Sequence, residues 1–448
     1  MWYKPSHWAL ESAASSLAPP GKERWSNKDM DPVPPHLRTW STRNYVAYWI
    51  SDATNTAVWE LASSMLAVGL SWRQALPAIA VGHVIIAIVT VLNGTIGARL
   101  HIAVSSYFSV VSRVILAMFW YWDTDFPFML VSPQKIRHLF MAKAFIVPCA
   151  WLAILIWAMV KAPPSHAEVS GSALSWAWLS ALNSALGIYA TLAVNVSDFT
   201  SQYVQLFIIP TVFTLIGFVG IAVTSAGEVL YGETLWDPLK LIDKWDNRAA
   251  AFFAAFSFFI ATLGTNISAN SLSAANDMTV LFPRYINIRR GQVICAILGG
   301  WALCPWEILA SAPGFLTFMN GMYWFVHKCK VDLRAMYDPH GRYRYWNGIN
   351  WRAVVALLCA VPPSFPGLIY SVNPSIYPGK VSHVFDIAWL YGFFTASTVY
   401  WTLSKIFPPL ETFVEEDHEN LDVSATASLD LKNGTGDEKV GVSSVSHV

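Results

Sequence analysis

The stretch Tyr45–Leu70, YVAYWISDATNTAVWELASSMLAVGL, is long enough to cross a bilayer, yet it carries Asp52, Asn55 and Glu60 inside its apolar run. A second stretch, Ala249–Ala275, AAAFFAAFSFFIATLGTNISANSLSAA, holds Thr265, Asn266, Ser268 and Asn270 in the same way. A bilayer core has no water to satisfy such groups, and an ionised side chain at its centre costs about 2.5–3.5 kcal/mol on insertion scales. Polar groups persist there when they line a cavity inside a helical bundle. The two stretches together predict a transporter or channel.

Composition agrees. Of 448 residues, 13 % are charged and 54 % hydrophobic, with 22 tryptophans. That charge content is about half of what a soluble domain carries, and long apolar runs exclude a soluble single-core enzyme. A formal net charge of zero leaves no nucleic-acid footprint. Cys149, Cys295, Cys304, Cys329 and Cys359 are dispersed, with no C-x-x-C or Cys/His cluster, so neither a disulfide framework nor a metal site is supported. No nucleophile–base pair suggests an enzyme. Met1–Arg43 is polar and Pro-rich without a signal-peptide core, so the first span serves as the insertion signal.

Spans are expected near 45–70, 75–98, 102–122, 144–160, 174–195, 203–224, 249–275, 293–312, 352–371 and 384–404. Shorter apolar pieces follow at Phe126–Ser132 and Met322–Val326. The chain divides into a cytosolic N-terminal tail (1–43), a transmembrane domain (44–408) and an acidic, Ser-rich tail (409–448) expected to be disordered and cytosolic. Basic clusters in the N-tail, at Lys135/Arg137/Lys143, at Arg284/Arg289/Arg290 and from Lys328 through Arg352 belong inside, and the mainly acidic Gly227–Asp246 outside. Two intervals then fail. Arg99 to Lys135 and Arg290 to Lys328 each start and end inside, but neither has room for two crossings of about 20 residues with a turn. Each should hold one good helix and one stunted helix.

Thr262, Asn266, Asn270, Ser273 and Asp277 recur at spacings of three and four, one polar stripe on a helix. Asparagine offers two donors and two acceptors without charge, which suits the edge of a nucleobase, or serves as interhelical glue. Asp52, Asn55, Thr56 and Trp59 share a face of the first span. Asp52 suits a proton carrier, an organiser of a broken helix or a structural ion pair. Glu60 carries the same alternatives. Gly187, the only glycine of its span, permits either local unwinding beside Tyr189 or tight helix packing. Trp120 ends the third span as an interfacial anchor or a stacking platform, and His83 reads as a satisfied packing residue.

Several motifs together resemble fungal uracil/allantoin permeases, which belong to the type-one nucleobase–cation symporters. They include Thr39-Trp-Ser-Thr-Arg-Asn-Tyr, Trp49-Ile-Ser-Asp-Ala-Thr-Asn55, Asn93-Gly-Thr-Ile-Gly-Ala-Arg99, Phe126-Pro-Phe-Met-Leu-Val-Ser-Pro-Gln-Lys-Ile-Arg-His138 and Gly264-Thr-Asn-Ile-Ser-Ala-Asn270. The resemblance runs from about Trp25 to Pro408. It implies an all-α, leucine-transporter-like bundle of inverted repeats, with substrate held at mid-membrane between broken first and sixth helices and the third and eighth. It implies a substrate site of Trp120, Tyr189 and Asn270, with unwound backbone at Gly187 and with Asn266 nearby. Ala261, Gly264 and Thr265 fall where bacterial relatives bind sodium, and Asp52 and Asn55 face the site from helix one. Gly264 lacks a hydroxyl, which favours a proton as coupling ion over sodium. No cofactor is implied. The partners are a small heterocycle and the plasma-membrane bilayer. Lys432 and Lys439 make the C-terminal tail a candidate for ubiquitination and endocytosis machinery.

The chain departs from the family pattern where the charge count fails. After Trp120, Tyr121–Phe126 jumps nearly to the end of helix four and omits a Gln-bearing turn. After Met319-Asn-Gly321 most of helix ten is absent, leaving about 10 of 12 spans. Shorter losses follow Arg99-Leu-His-Ile and Asp198-Phe-Thr200. The resemblance implies proton-coupled import of uracil, allantoin or a similar heterocycle, in a form expected to be transport-defective. The alternatives are a nucleoside- or thiamine-type carrier and a non-transporting membrane sensor or decoy.

Overall fold

A computed structural model describes residues 27–32, 41–100, 133–162, 170–195, 203–299, 345, 350–372, 375 and 383–408. Within these, side chains at 28, 95–100, 133–138, 191, 194–195, 268–270, 296–299 and 372 lie outside the description. Trp120, residues 101–132 and 300–328 of the two intervals with stunted helices, and the C-terminal tail also lie outside it.

The expected first span is two helices, α1 (Thr42–Ala53) and α2 (Thr56–Ala67). The long α3 (Trp72–Leu100) and α4 (Pro133–Lys161) come next. The expected span 174–195 is likewise divided, into α5 (Gly171–Gly187) and α6 (Ala190–Asn195). Then come α7 (Gln205–Tyr231), the short α8 (Pro238–Asp243) and α9 (Arg248–Thr265). A π-helical stretch, Asn266–Leu272, leads into α10 (Ser273–Leu281), and α11 (Ile288–Gly299) packs beside it. The last described elements are α12 (Trp351–Ala360), α13 (Phe365–Val372), α14 (His383–Asp386) and α15 (Ala388–Ile406).

Helix starts follow local chemistry. Asn44 accepts from the Ser41 backbone N–H at 3.0 Å, fixing the entry to α1. Asn247 caps α9 by accepting from Ala249 and Ala250, and Asn350 caps α12 through Arg352. Gly232, at φ 73°, closes α7 in the left-handed conformation that favours glycine.

Among the described residues, five stretches are long and apolar enough to cross a membrane: Trp72–Gly94, Leu139–Lys161, Gln205–Tyr231, Arg248–Thr265 and Trp351–Ser371. Their outer faces carry exposed apolar side chains such as Phe252, Phe253, Phe256, Leu152 and Ile156, as lipid-facing helices require. Inside, α3, α2, α1 and α4 all pack on α7. A Cβ at Gly220 of α7 would stand 3.0 Å from the Trp59 carbonyl oxygen and 3.2 Å from Ser63 Oγ, so backbones of α7 and α2 meet there.

Two expectations are corrected. The polar stripe from Thr262 to Asp277 does not run along one regular helix. The π-helical stretch widens the turn within it and rotates the residues from Ser273 onward. Lys143 is not a loop charge. It lies inside α4 and has no exposed surface. The N-tail also contributes to the folded body. Asn27 donates to the carbonyls of Pro283 and Ile286 at 3.0 and 3.1 Å, and Asp29 accepts from the Ile288 N–H at the start of α11.

Candidate functional site

The site is built where the two helix breaks meet. Thr54 ends α1 by turning its hydroxyl back onto the carbonyls of Ile50 and Ser51, at 2.9 and 3.0 Å. Asn55 then starts α2, accepting from the Val58 N–H at 2.8 Å. Its amide nitrogen donates to the Asp52 carbonyl and, at 2.7 Å, to the hydroxyl of Tyr189. Tyr189 sits in the turn between α5 and α6 and donates to the Asp52 carbonyl at 3.1 Å. One phenol thus ties the break in the second divided helix to the break in the first. Tyr189 is buried, with Phe213 of α7 against its ring at 4.4 Å between centroids. Gly187, also buried, is the last residue of α5, at the edge of the turn.

A second corner adjoins the first. The hydroxyls of Thr56, at the start of α2, and Thr262 of α9 are 2.8 Å apart. Next to Thr262 lie Ala261, fully buried, and Gly264 and Thr265. Lys143 reaches this point from α4. Its Nζ donates to Thr265 Oγ1 at 2.7 Å. A Cβ on Gly264 would fall 2.6 Å from Lys143 Cδ and 3.2 Å from Nζ. The space left by the missing side chain of Gly264 is therefore filled by the lysine stem, which ends in the hydrogen bond to Thr265.

The structure brings Asp52, Asn55 and Tyr189 together, with Gly187 two residues before Tyr189, and it brings Gly264 and Thr265 onto Lys143, while the Ala261 carbonyl accepts from the Thr265 hydroxyl. Asn55 acts as a helix cap and a tether. Asp52 enters these bonds through its main-chain carbonyl. Asn266 opens the π-helical stretch and is half-buried. Asn270 lies within that stretch, with its side chain outside the description, as Trp120 is altogether. Sequence reasoning gave Lys143 no place in this corner and did not single out Phe213. Lys143 had a signal, a lone charge inside the apolar run of Phe140-Met-Ala-Lys-Ala-Phe-Ile-Val. Phe213 had none.

The family model for permeases of cytosine/purines, uracil, thiamine and allantoin matches residues 32–115 and 107–392. The chain belongs to this permease family. Among curated permeases, an uncharacterised one from Schizosaccharomyces pombe is 34 % identical, covering 87 % of this chain and 85 % of its own. The Saccharomyces cerevisiae allantoin permease is 31 % identical (87 % and 78 % covered), and the uracil permease of the same yeast 32 % (85 % and 76 %). Among solved structures, the fold is similar to Mhp1, a nucleobase-cation-symport-1 family transporter in a closed conformation with bromovinylhydantoin bound. The TM-score is 0.59 at 18 % identity, over 87 % of this chain and 97 % of that one. The divided helices α1/α2 and α5/α6 are thus those of a leucine-transporter-like bundle. The protein is an integral, multi-pass permease-family protein and not an enzyme.

Proposed function

We propose that this permease architecture serves proton-coupled import of a nucleobase-like heterocycle, uracil, allantoin or a close analogue, across the plasma membrane. The observation that carries the proposal is the Tyr189 hydroxyl bound to Asn55 and to the Asp52 carbonyl, which joins two helix breaks at one point. Broken helices at mid-membrane expose backbone groups that a small polar ring can use. Because its hydroxyl is committed to the first break, Tyr189 offers a ligand its ring. The heterocycle would stack between that ring and Trp120, and bond Asn270 and the backbone near Gly187.

Proton rather than sodium coupling is supported by Lys143. Its stem and amine fill the space beside Thr265 and Gly264 that a bound sodium ion would need. A proton arriving elsewhere in the bundle would load the outward-facing form, and rocking of the bundle would release proton and substrate inside.

This chain is further proposed to be impaired in transport, through the losses after Trp120 and after Gly321. The alignment to the S. pombe relative runs over 478 positions, more than the 448 residues of the whole chain, so the relative carries positions absent here. A nucleoside substrate is the second reading, favoured by the S. cerevisiae uridine permease at 31 % identity.

Uptake of radiolabelled uracil, allantoin and uridine in transporter-null yeast tests both parts, with surface delivery checked by microscopy. The chain should give no saturable uptake. A version with the two absent stretches restored from the S. cerevisiae uracil permease should give uptake that rises as external pH falls. Robust uptake by the chain itself would remove the defect. Silence of the restored version at the cell surface would favour a sensor or decoy.

A further inference from the structure

His83 is the buried group that the site leaves unexplained. It sits in α3 with no exposed surface, and its Nδ1 is 2.8 Å from the Ile79 carbonyl oxygen. A carbonyl only accepts, so Nδ1 carries the proton and Nε2 keeps a lone pair. That Nε2 is buried without a hydrogen-bond partner, so the packing expectation for this residue holds on one side of the ring only. An unmet acceptor in an apolar wall is a standing cost that an all-carbon ring of similar size would avoid. What the imidazole gains is a fixed orientation. The Nδ1–Ile79 bond stops the ring rotating about its own axis.

That orientation is passed on. The His83 ring lies nearly flat on Phe213 of α7, with centroids 4.6 Å apart and planes inclined by 17°. Phe213, with no exposed surface, meets Tyr189 at 4.4 Å and 76°, and Trp49 of α1 at 6.2 Å and 65°. His83 and Tyr189 are themselves 6.2 Å apart. The Tyr189 ring is thus held at its hydroxyl by the first break and along its body by a wall whose far end is pinned to Ile79.

We propose that His83 is a positioning residue of the heterocycle site: tethered to Ile79, its ring orients Phe213, and the two together set the Tyr189 ring and keep the break between α1 and α2 closed on it. The proposal rests on Tyr189 as the ligand-facing aromatic. It adds a positioning residue from a helix that carries none of the site residues.

Hydrogen exchange on the purified full chain in detergent tests it without needing a ligand. Loss of one aromatic contact should speed exchange about three- to tenfold. In His83→Ala that rise is expected in peptides 50–59 and 186–193, both remote in sequence from the substitution. His83→Phe restores a stacked ring without the Ile79 tether, so it should return both peptides only part of the way. Phe213→Leu should reproduce His83→Ala, and the double variant should add little. Binding of radiolabelled uracil and allantoin to the same preparations gives the second readout. His83→Ala should weaken it in the parent but not in a Tyr189→Ala background. If exchange rises only around residues 79–87, the positioning role is overturned whatever the ligand result. If the two break peptides respond while no preparation binds a ligand, positioning stands and the heterocycle assignment fails.

Discussion

The Asn55 side-chain amide donates to the Tyr189 hydroxyl at 2.7 Å, across 134 positions of sequence. Asn55 starts α2 and Tyr189 separates α5 from α6, so this one bond couples the first divided helix to the second. Both residues also reach the Asp52 carbonyl, in the last turn of α1.

Asn55→Ala removes a helix cap and the donor to Tyr189 at once. Cap loss alone costs about 0.5–2 kcal/mol, and a lost buried hydrogen bond about 1 kcal/mol more. A clear fall in melting temperature is expected in detergent. Asn55→Ser keeps a capping oxygen but is too short to reach Tyr189, so its melting temperature should fall between parent and alanine. Equal melting for serine and alanine would assign the whole effect to the tether.

Lys143 and Gly264 should behave as a coupled pair. Gly264→Ala places a methyl 2.6 Å from Lys143 Cδ, so the stem must shift. Overpacking of this kind costs about 1–3 kcal/mol. Lys143→Ala makes the room back, so the double variant should be more stable than the sum of the two single losses predicts. Thermal unfolding of the four proteins measures this. Strict additivity would mean that the side chains do not meet.

Gly220 faces a main-chain oxygen, which cannot move aside as a side chain can. With a Cβ 3.0 Å from the Trp59 carbonyl oxygen, Gly220→Val should force α7 from α2. Fluorescent-fusion chromatography should show aggregated protein in place of a monodisperse peak, and surface delivery should fall.

Thr56 and Thr262 join α2 to α9 through their hydroxyls. A double-mutant cycle with valine at each position should give a coupling of about 0.6 kcal/mol, the average for hydrogen bonds between membrane helices. The readout is unfolding in mixed micelles. Zero coupling would show that the two threonines act independently.

Five long apolar stretches were legible because lipid imposes blunt rules: long apolar runs, with polar residues only where they are satisfied. From the residues alone Asp52-Ala-Thr-Asn55 and Gly187 leave a break as one alternative among others, and the family resemblance supplies the broken helices that the structure shows at 54–55 and 188–189. Asn55 was legible as a polar residue but not as a cap, since capping shows only once the helix is seen to restart at Thr56. The stripe from Thr262 to Asp277 misled because a π-helical stretch inserts extra residues per turn without a sequence signature. Lys143 misled because its nearness to Lys135 and Arg137 suggested a loop, whereas α4 already begins at Pro133. Phe213 stayed hidden because an apolar residue in an apolar span says nothing about which ring it meets.

The most direct measurement is equilibrium binding of radiolabelled uracil and allantoin to the purified full chain and to Tyr189→Ala, with uridine and thiamine as competitors. The account predicts saturable binding of one of these heterocycles to the parent chain, unchanged by sodium, and its loss in Tyr189→Ala. Binding that survives unaltered in Tyr189→Ala, or that requires sodium, would contradict it.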